Sequence, residues 1–163
     1  MNSIDVIIET PRGSKYKYKF DPETNRFRVK KLLPAGLAFP YDFGFIPDTK
    51  GDDGDPLDVL IFAEDPFLPG SIIECQIIGA IKAKQISDGA TLRNDRIIAM
   101  PALTMEKGEE VVLQDLSRQK ITELENFFSY YNKMEGKEFK SLGLSSAKET
   151  WNMIKEQYSG HEA

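Results

Sequence analysis

The order of hydrophobic patterns along the chain is the feature that most limits what it can fold into. Through about residue 100, apolar residues form short runs or alternate with polar ones, which is typical of β-strands. The segment 117–134 and a second one beginning near Ser146 instead carry apolar residues at helical spacing. About six strands followed by two helices predict an α+β fold, in which a small β-barrel is the simplest closure for so many short strands.

The predicted strands are short and separated by turn residues. In the second of them, KYKYKF, aromatic residues alternate with lysines, and the turn DPETN joins it to the third strand as a hairpin. The first helix is expected to begin at a cap formed by Asp115 or Ser117, and the second has Ser146 and Glu149 at the spacing of a capping box. The predicted strands are 4–9, 15–20, 26–33, 57–63, 71–83 and 95–100.

Between the third and fourth strands lies a segment of more than 20 residues, 34–56, that is rich in glycine, proline and aromatic residues. We interpret it as one long loop, and long loops in compact domains tend to be functional. The length of 163 residues fits a single domain, 1–163, that is large enough to bury its own core.

Composition and charge narrow the range of functions. A formal net charge of −5 argues against a nucleic-acid partner. No segment approaches the ~20 apolar residues that span a bilayer, and the first residues lack a secretory pattern, so we expect a cytoplasmic protein without a membrane partner. The lone cysteine, Cys75, is expected in the core. The only histidine, His161, lies near the C-terminus, so that catalysis falls to carboxylates, lysines, arginines and tyrosines.

The stretch KGDDGDPLDVLIF, residues 50–62, brings four aspartates into and directly before a predicted buried strand. Asp53 and Asp55 are two positions apart, which in an extended chain directs both carboxylates to one side, roughly 6–7 Å apart. Asp58 lies within the strand among apolar residues, where a carboxylate needs a cation or several donors. These carboxylates suit a hard ion such as Mg²⁺ or Mn²⁺. A solvated turn explains the same composition, and the residues alone leave both interpretations open.

The segment 53–59, DGDPLDV, resembles the signature of the soluble inorganic pyrophosphatases of family I, the single-domain β-barrel type. Further segments that resemble this family are VIIETPRGS, FPYDFGFIP, PGSIIECQIIGAI and DRIIAMP, and the resemblance covers the chain from about residue 4 to 158. It implies an OB-type barrel, closed or partly open, with two C-terminal α-helices. It also implies a homo-oligomer, commonly a hexamer in bacteria.

By this resemblance, the activity is the Mg²⁺-dependent hydrolysis of pyrophosphate to two phosphates, with Mn²⁺ as an alternative ion. The implied mechanism uses two metal ions, and Asp55 orients and deprotonates the attacking water. The last metal aspartate falls at Asn94 or Asp95, and we prefer Asp95 because an amide is a weak substitute for a carboxylate on Mg²⁺. The implied metal ligands are Asp53, Asp55, Asp58, Asp88, Asp95 and Glu9, and the implied substrate-binding residues are Lys17, Lys31, Arg96 and Tyr131.

The chain departs from the family pattern mainly among the residues expected to bind phosphate. The departures are Lys19 for a glutamate, Lys31 for an arginine, Phe43 for a tyrosine, Arg96 for a lysine and Asn132 for a lysine. Lysine supplies the positive charge of arginine but cannot form its bidentate hydrogen bonds to phosphate. Lys17 and Lys19 also fit the solvent face of a strand, and Tyr131 fits the apolar face of its helix. Two alternatives therefore stand beside the pyrophosphatase: a divergent relative that acts weakly or on another diphosphate, and a non-catalytic OB-type binding module.

Overall fold

The computed structural model describes residues 3–158, and within that range it contains nine β-strands and two α-helices. The strands are β1 Ser3–Thr10, β2 Tyr16–Asp21, β3 Arg26–Leu32, β4 Asp42–Ile46, β5 Leu57–Ile61, β6 Ile72–Ser87, β7 Ala90–Arg93, β8 Arg96–Pro101 and β9 Glu138–Ser145. The helices are α1 Arg118–Met134 and α2 Ala147–Glu156. No helix within residues 3–158 is both long enough and apolar enough to cross a bilayer.

Five strands close into a ring in the order β1, β4, β5, β8, β6 and back to β1. Neighbouring strands of the ring are antiparallel except β5 and β8, which run parallel. Closure gives each of these strands a hydrogen-bonded partner on both sides, as a small barrel requires. The predicted α+β fold, a small OB-type barrel with two helices near the C-terminal end, is confirmed.

Strand β6 is long enough to serve two parts of the fold. Residues 72–81 pair with β1 and β8 in the ring, and residues 80–87 pair with β7 and β9 outside it. The strand is irregular at Gly79, which has a φ of 152°. An added Cβ there would lie 2.7 Å from the carbonyl oxygen of Ser145, so a glycine lets β9 approach this closely.

The ring strands bury side chains on both faces, and two apolar clusters result. In β5, Leu60 packs in the cluster that α1 covers with Phe128, while Val59 packs in the cluster that α2 covers with Ile154. Strands buried on both faces are rigidly held. The chain at Asp58, the second residue of β5, is therefore fixed in position by its neighbours.

Both helices begin at the serines that the sequence indicates. Ser117 Oγ accepts the backbone N–H of Lys120 at 3.2 Å, and Ser146 Oγ accepts the backbone N–H of Glu149 at 3.2 Å. These caps confirm the predicted helix starts.

Three strands differ from the sequence prediction. Strand β4 lies inside the segment 34–56, so the interpretation of that segment as one uninterrupted loop is wrong. Hydrogen bonding to β1 on one side and β5 on the other makes DFGFI a strand despite the nearby glycine and prolines. The prediction also omits β7 and β9, which are largely exposed and pair with the outer part of β6.

The hairpin of β2 and β3 forms as predicted and is a separate two-stranded sheet. Cys75 is fully buried in the core, also as predicted. His161 lies outside the described residues.

Candidate active site

A cleft of about 470 Å³ lies among the β2–β3 hairpin, the C-terminal end of α1 and residues 51–56, which we call the acidic loop. Its lining contains five carboxylates, four cationic side chains and five phenylalanines. The charged lining residues are Glu9, Asp53, Asp55, Asp58, Glu135, Lys17, Lys19, Arg96 and Lys137. Fixed charges in a partly apolar cleft act more strongly than on an open surface, so this cleft is suited to a small charged ligand.

Hydrogen bonds among its own residues shape the acidic loop. The Gly51 N–H donates to the Asp55 carbonyl at 2.8 Å, and the Asp55 N–H donates to Asp53 Oδ1 at 3.0 Å. Gly54, with a φ of 85°, makes the turn between the two aspartates. Both aspartates line the cleft, whereas Asp52 lines a smaller neighbouring cavity of about 70 Å³.

Asp58 and Arg96 form an ion pair in the cleft. Arg96 Nη1 lies 3.6 Å from Asp58 Oδ2, and the guanidinium lies over the Phe128 ring, 4.8 Å from its centroid. Desolvation raises the pKa of Asp58, and the Arg96 charge opposes that rise. Arg96 is buried, and its Nε has no hydrogen-bond partner among residues 3–158. A buried cation that is only partly neutralised favours the binding of an anion.

Lys19 and Asp55 form a second pair at the edge of the cleft, with Lys19 Nζ 3.3 Å from Asp55 Oδ2. Burial lowers the pKa of Lys19, but the attraction of Asp55, Glu9 and Asp58 outweighs it and raises that pKa overall. Lys19 therefore carries a full positive charge at neutral pH, and one carboxylate of the acidic loop is already paired.

Glu9, near the end of β1, is a partly buried carboxylate of the cleft lining. Its Oε2 accepts the backbone N–H of Phe20 at 2.8 Å, which holds the hairpin against β1. Burial raises the pKa of Glu9 to about 7, and the negative charge of Asp58 acts in the same direction. Close to neutral pH, Glu9 is thus poised between its neutral and charged forms.

Glu135, one residue beyond α1, gathers lysines from separate parts of the chain. Its Oε1 lies 3.0 Å from Lys31 Nζ and 3.5 Å from Lys17 Nζ, and its Oε2 lies 3.6 Å from Lys137 Nζ. The negative charge of Glu135 also acts on Tyr131. The sequence prediction overlooks Glu135, although its position four residues after Tyr131 on the same helical face was a usable signal.

The charges around Glu135 set two pKa values. Burial alone would raise the pKa of Glu135, but Lys17, Lys31 and Lys137 outweigh it and lower that pKa. Burial and the Glu135 charge both raise the pKa of Tyr131 far above its usual range. Tyr131 is therefore a neutral hydrogen-bond donor at this end of the cleft.

The two later aspartates of the predicted ligand set do not line the cleft. Asp88 and Gly89 form the two-residue turn between β6 and β7, with φ values of 52° and 77°, which is the type I′ geometry that Asp-Gly favours. Asp95 is ion-paired with Arg93, and its Oδ1 accepts the Ala83 N–H at 3.1 Å. Asp95 lines the smaller cavity, together with Asp52, Asp53 and Asp58.

Two amide side chains also line the cleft. Asn94 and Gln85 both line the cleft, and Asn94 Nδ2 donates to Gln85 Oε1 at 3.1 Å. The geometry thus favours Asn94 over Asp95 as the residue that faces the cleft, in contrast to the preference drawn from ligand chemistry. The sequence prediction overlooks Gln85, which reaches the cleft because β6 continues beyond the predicted strand end.

Two of the departures from the family pattern have structural roles here. Phe43 packs edge-on against Phe39, with ring centroids 4.9 Å apart. Asn132 is buried, and its Nδ2 donates to the Phe128 carbonyl at 2.8 Å within α1. Neither side chain offers a charge to a ligand, so the cationic groups of the cleft come from elsewhere.

The fold brings most of the predicted site residues together. Those that line the cleft are Glu9, Asp53, Asp55, Asp58, Lys17, Arg96 and Tyr131. Lys31 reaches the same region through its ion pair with Glu135. Asp88 lies in the β6–β7 turn and lines neither cavity, and Asp95 lines only the smaller cavity, which Asp53 and Asp58 share.

The donor chemistry of the acidic loop fits a hard divalent ion. Asp53, Asp55 and Asp58 present oxygen ligands to one cleft, which is the ligand type that such ions prefer. Within the described range 3–158, no three carboxylate, thiol or imidazole groups already lie close enough together to hold an ion. Since Lys19 and Arg96 are paired with two of the three carboxylates, an ion would have to compete with these cations.

Comparisons with known proteins match nearly the whole chain. The model of the family described as inorganic pyrophosphatase matches residues 6–161. Inorganic pyrophosphatases from Synechocystis and Rickettsia prowazekii are 35% and 37% identical, over 94% and 95% of this chain and 88% and 90% of their own lengths.

Solved structures of inorganic pyrophosphatases have the same fold as this chain. The inorganic pyrophosphatase from Neisseria gonorrhoeae has a TM-score of 0.84 at 33% identity, with 96% of this chain and 89% of that chain covered. That from Thermus thermophilus has a TM-score of 0.87 at 27% identity, with 99% and 92% covered. The predicted enzyme class, inorganic diphosphatase, is supported by the same matches, and the family implies a divalent-metal cofactor in general. The fold, the cleft and these similarities together show that the chain belongs to the inorganic pyrophosphatase family.

Proposed function

We propose that the chain hydrolyses inorganic pyrophosphate to two phosphates in the cleft, with Mg²⁺ as the assisting ion. Family membership supports this activity. The observation that carries it is the arrangement of the cleft, in which the aspartates of the acidic loop face Lys17, Arg96 and Tyr131. Carboxylates that handle water and cations that handle phosphate are the two components that such a reaction needs.

The cationic end of the cleft binds the diphosphate. Lys17 and Lys31 exchange the carboxylate of Glu135 for phosphate oxygens, which form charge-assisted hydrogen bonds of similar length. Arg96 adds a buried positive charge, and Tyr131 adds a neutral donor. The bridging oxygen between the two phosphorus atoms then lies between these groups and the acidic loop.

Asp55 orients the attacking water and accepts its proton. Its side chain is 56% exposed, so water reaches it freely. The water oxygen forms a bond to one phosphorus atom, the bond from that phosphorus to the bridging oxygen breaks, and the bridging oxygen leaves with the second phosphate. Lys17 and Arg96 stabilise the negative charge that develops on the leaving phosphate.

Asp53, Asp55 and Asp58 are the residues proposed to hold Mg²⁺, with Glu9 beside them. When bound, a divalent ion supplies positive charge for the diphosphate and lowers the pKa of a nearby water. Asp88 and Asp95 are left out of this set because one forms a hairpin turn and the other is paired with Arg93.

The resemblance to the family further supports a homo-oligomer, with a hexamer as the expected form, and a cytoplasmic location. Analytical ultracentrifugation of the purified protein measures the first of these directly. A monomer at micromolar concentration would contradict the proposed assembly.

Phosphate release from pyrophosphate in the presence of Mg²⁺ tests the activity. We expect wild-type protein to release phosphate and Asp55→Asn to lose about 100-fold or more in rate, since it lacks the base. Asp52→Asn is the matched control, because Asp52 is in the same loop but does not line the cleft. Wild-type release no faster than that of Asp55→Asn would overturn the proposal, and a panel of organic diphosphates would then identify a different preferred substrate.

A further inference from the structure

The cleft holds cationic side chains at the points where the proposed activity would use divalent ions. We propose that the Lys19 ammonium occupies the position of one divalent cation beside Asp55, so that the substrate-free cleft binds fewer such ions and Lys19 itself neutralises the diphosphate. This inference rests on the proposed function and names a group that neutralises the negative charge of the substrate.

Lys19 lies where several carboxylates converge. Its Nζ is 3.3 Å from Asp55 Oδ2, and the charges of Glu9 and Asp58 act on the same ammonium group. These carboxylates are also the ones proposed to bind or adjoin Mg²⁺. A unit positive charge among the prospective ligands repels a divalent ion and takes up the negative charge that would attract it.

Arg96 likewise places a positive charge beside Asp58, where it repels a divalent ion. It lies 3.6 Å from Asp58, and its side chain is only 9% exposed and stacked on Phe128. A guanidinium held in this way does not move aside as readily as an exposed lysine. The cleft thus keeps one permanent cation beside Asp58 and one adjustable cation beside Asp55.

Two further residues of the cleft lining, Gln85 and Asn94, add no compensating negative charge. They are neutral amides, and Asn94 Nδ2 donates a hydrogen bond to Gln85 Oε1 at 3.1 Å. Asp95, which follows Asn94, is paired with Arg93 and lines the smaller cavity, which it shares with Asp53 and Asp58. Neutral amides are weaker ligands for a hard divalent ion than carboxylates are.

The charge balance of the whole lining leads to the same conclusion. Five carboxylates against four cationic side chains leave a formal charge of −1. Such a balance is too weak to gather several divalent ions before a diphosphate brings its own negative charge. Once the diphosphate is present, Lys19 is close enough to Asp55 to serve both the base and the substrate.

Titration with Mn²⁺ in the absence of substrate, with free ion measured by electron paramagnetic resonance, tests this assignment. The proteins are wild type, Lys19→Gln, Lys19→Arg and Lys15→Gln. Lys15→Gln removes the same charge from an exposed residue just before β2 that does not line the cleft. Lys19→Arg retains the charge and shows whether the change to glutamine acts through charge or through packing.

We expect Lys19→Gln to bind Mn²⁺ about tenfold more tightly than wild type or to take up one additional ion, since a repelling charge has been removed. Lys19→Arg and Lys15→Gln should bind as wild type does. The KM for pyrophosphate should rise in Lys19→Gln alone.

Equal numbers and affinities of Mn²⁺ ions bound by wild type and Lys19→Gln would overturn the assignment, as would weaker binding of Mn²⁺ by Lys19→Gln. The titration contains no substrate, so it is decisive even if the wild type releases no phosphate, a result that would contradict only the proposed function.

Discussion

Lys31 Nζ lies 3.0 Å from Glu135 Oε1, so a candidate phosphate-binding lysine on β3 is held by a carboxylate just beyond α1. The same oxygen is 3.5 Å from Lys17 on β2. A single carboxylate thus ties the exposed hairpin to the helix and pairs with both lysines. The arrangement links the stability of the hairpin to the affinity of the cleft for anions.

Replacing Glu135 by glutamine should therefore change stability and binding in opposite directions. We expect the free energy of unfolding to fall by about 2 kcal/mol, because ammonium groups lose a charged hydrogen-bond partner. The affinity for inorganic phosphate should rise, because Lys17 and Lys31 are freed. Urea unfolding and calorimetric titration with phosphate measure the two effects. Glu138→Gln, an exposed change on β9, is the control, and unchanged phosphate affinity in Glu135→Gln would contradict the expectation.

The stability difference between wild type and Glu135→Gln should also depend on pH in one direction. The pKa of Glu135 is lowered in the folded protein from a reference value of 4.5. A lowered folded-state pKa contributes stability that is fully present above about pH 4.5 and is lost as pH falls through the folded-state value. We expect the two unfolding curves to converge in acid, and a difference that stays constant between pH 7 and pH 3 would contradict this.

Glu9 has the opposite linkage, because its pKa is raised from 4.5 to about 7 by burial, with Asp58 adding to the rise and Lys19 and Lys17 opposing it. The folded state keeps the Glu9 proton where the unfolded state has lost it, so stability falls as pH rises from 4.5 to about 7. In protein kept free of metal by a chelator, Glu9→Gln should remove this decline, which amounts to at most about 3 kcal/mol. Unfolding measured at several pH values gives the comparison, and parallel curves for the two proteins would refute it.

The parts of the fold that the sequence predicts are those in which local residues decide the structure. The alternating residues of β2, the turn that follows it and the serine caps at Ser117 and Ser146 act over a few positions, and each forms as expected. Strand β4 could not be predicted in this way, because its pairing with β1 and β5 is what makes DFGFI extended. Its own glycine and flanking prolines indicate a loop.

The same distinction applies to the candidate site. Asp53, Asp55 and Asp58 are neighbours in the chain, so their clustering is visible in the sequence. Glu135 and Gln85 reach the cleft only through the packing of α1 and the length of β6. At Asp88, the demand of a type I′ turn for Asp-Gly explains the aspartate without a ligand role, and the sequence alone does not separate the two explanations.

Asp42 is a carboxylate with a structural role that the sequence does not reveal. It is 1% exposed, its Oδ1 accepts the Arg12 N–H at 2.6 Å, and its Oδ2 accepts the Phe67 N–H at 2.9 Å. These bonds fasten the segments after β1 and after β5 to the start of β4. Because Phe43 follows directly in the cleft wall, they also hold that wall in place.

Asp42→Asn should destabilise the protein although it preserves size and shape. An amide offers one acceptor oxygen in place of two, and its NH₂ group would face a backbone N–H that is left without a partner. We expect a loss of about 1–3 kcal/mol in the free energy of unfolding, which corresponds to about 2–4 °C in Tm per kcal/mol for a chain of this size. Thermal and urea unfolding measure it, with exposed Asp52→Asn as the control. Equal Tm values for Asp42→Asn and Asp52→Asn would show that both backbone donors keep adequate partners without the second carboxylate oxygen.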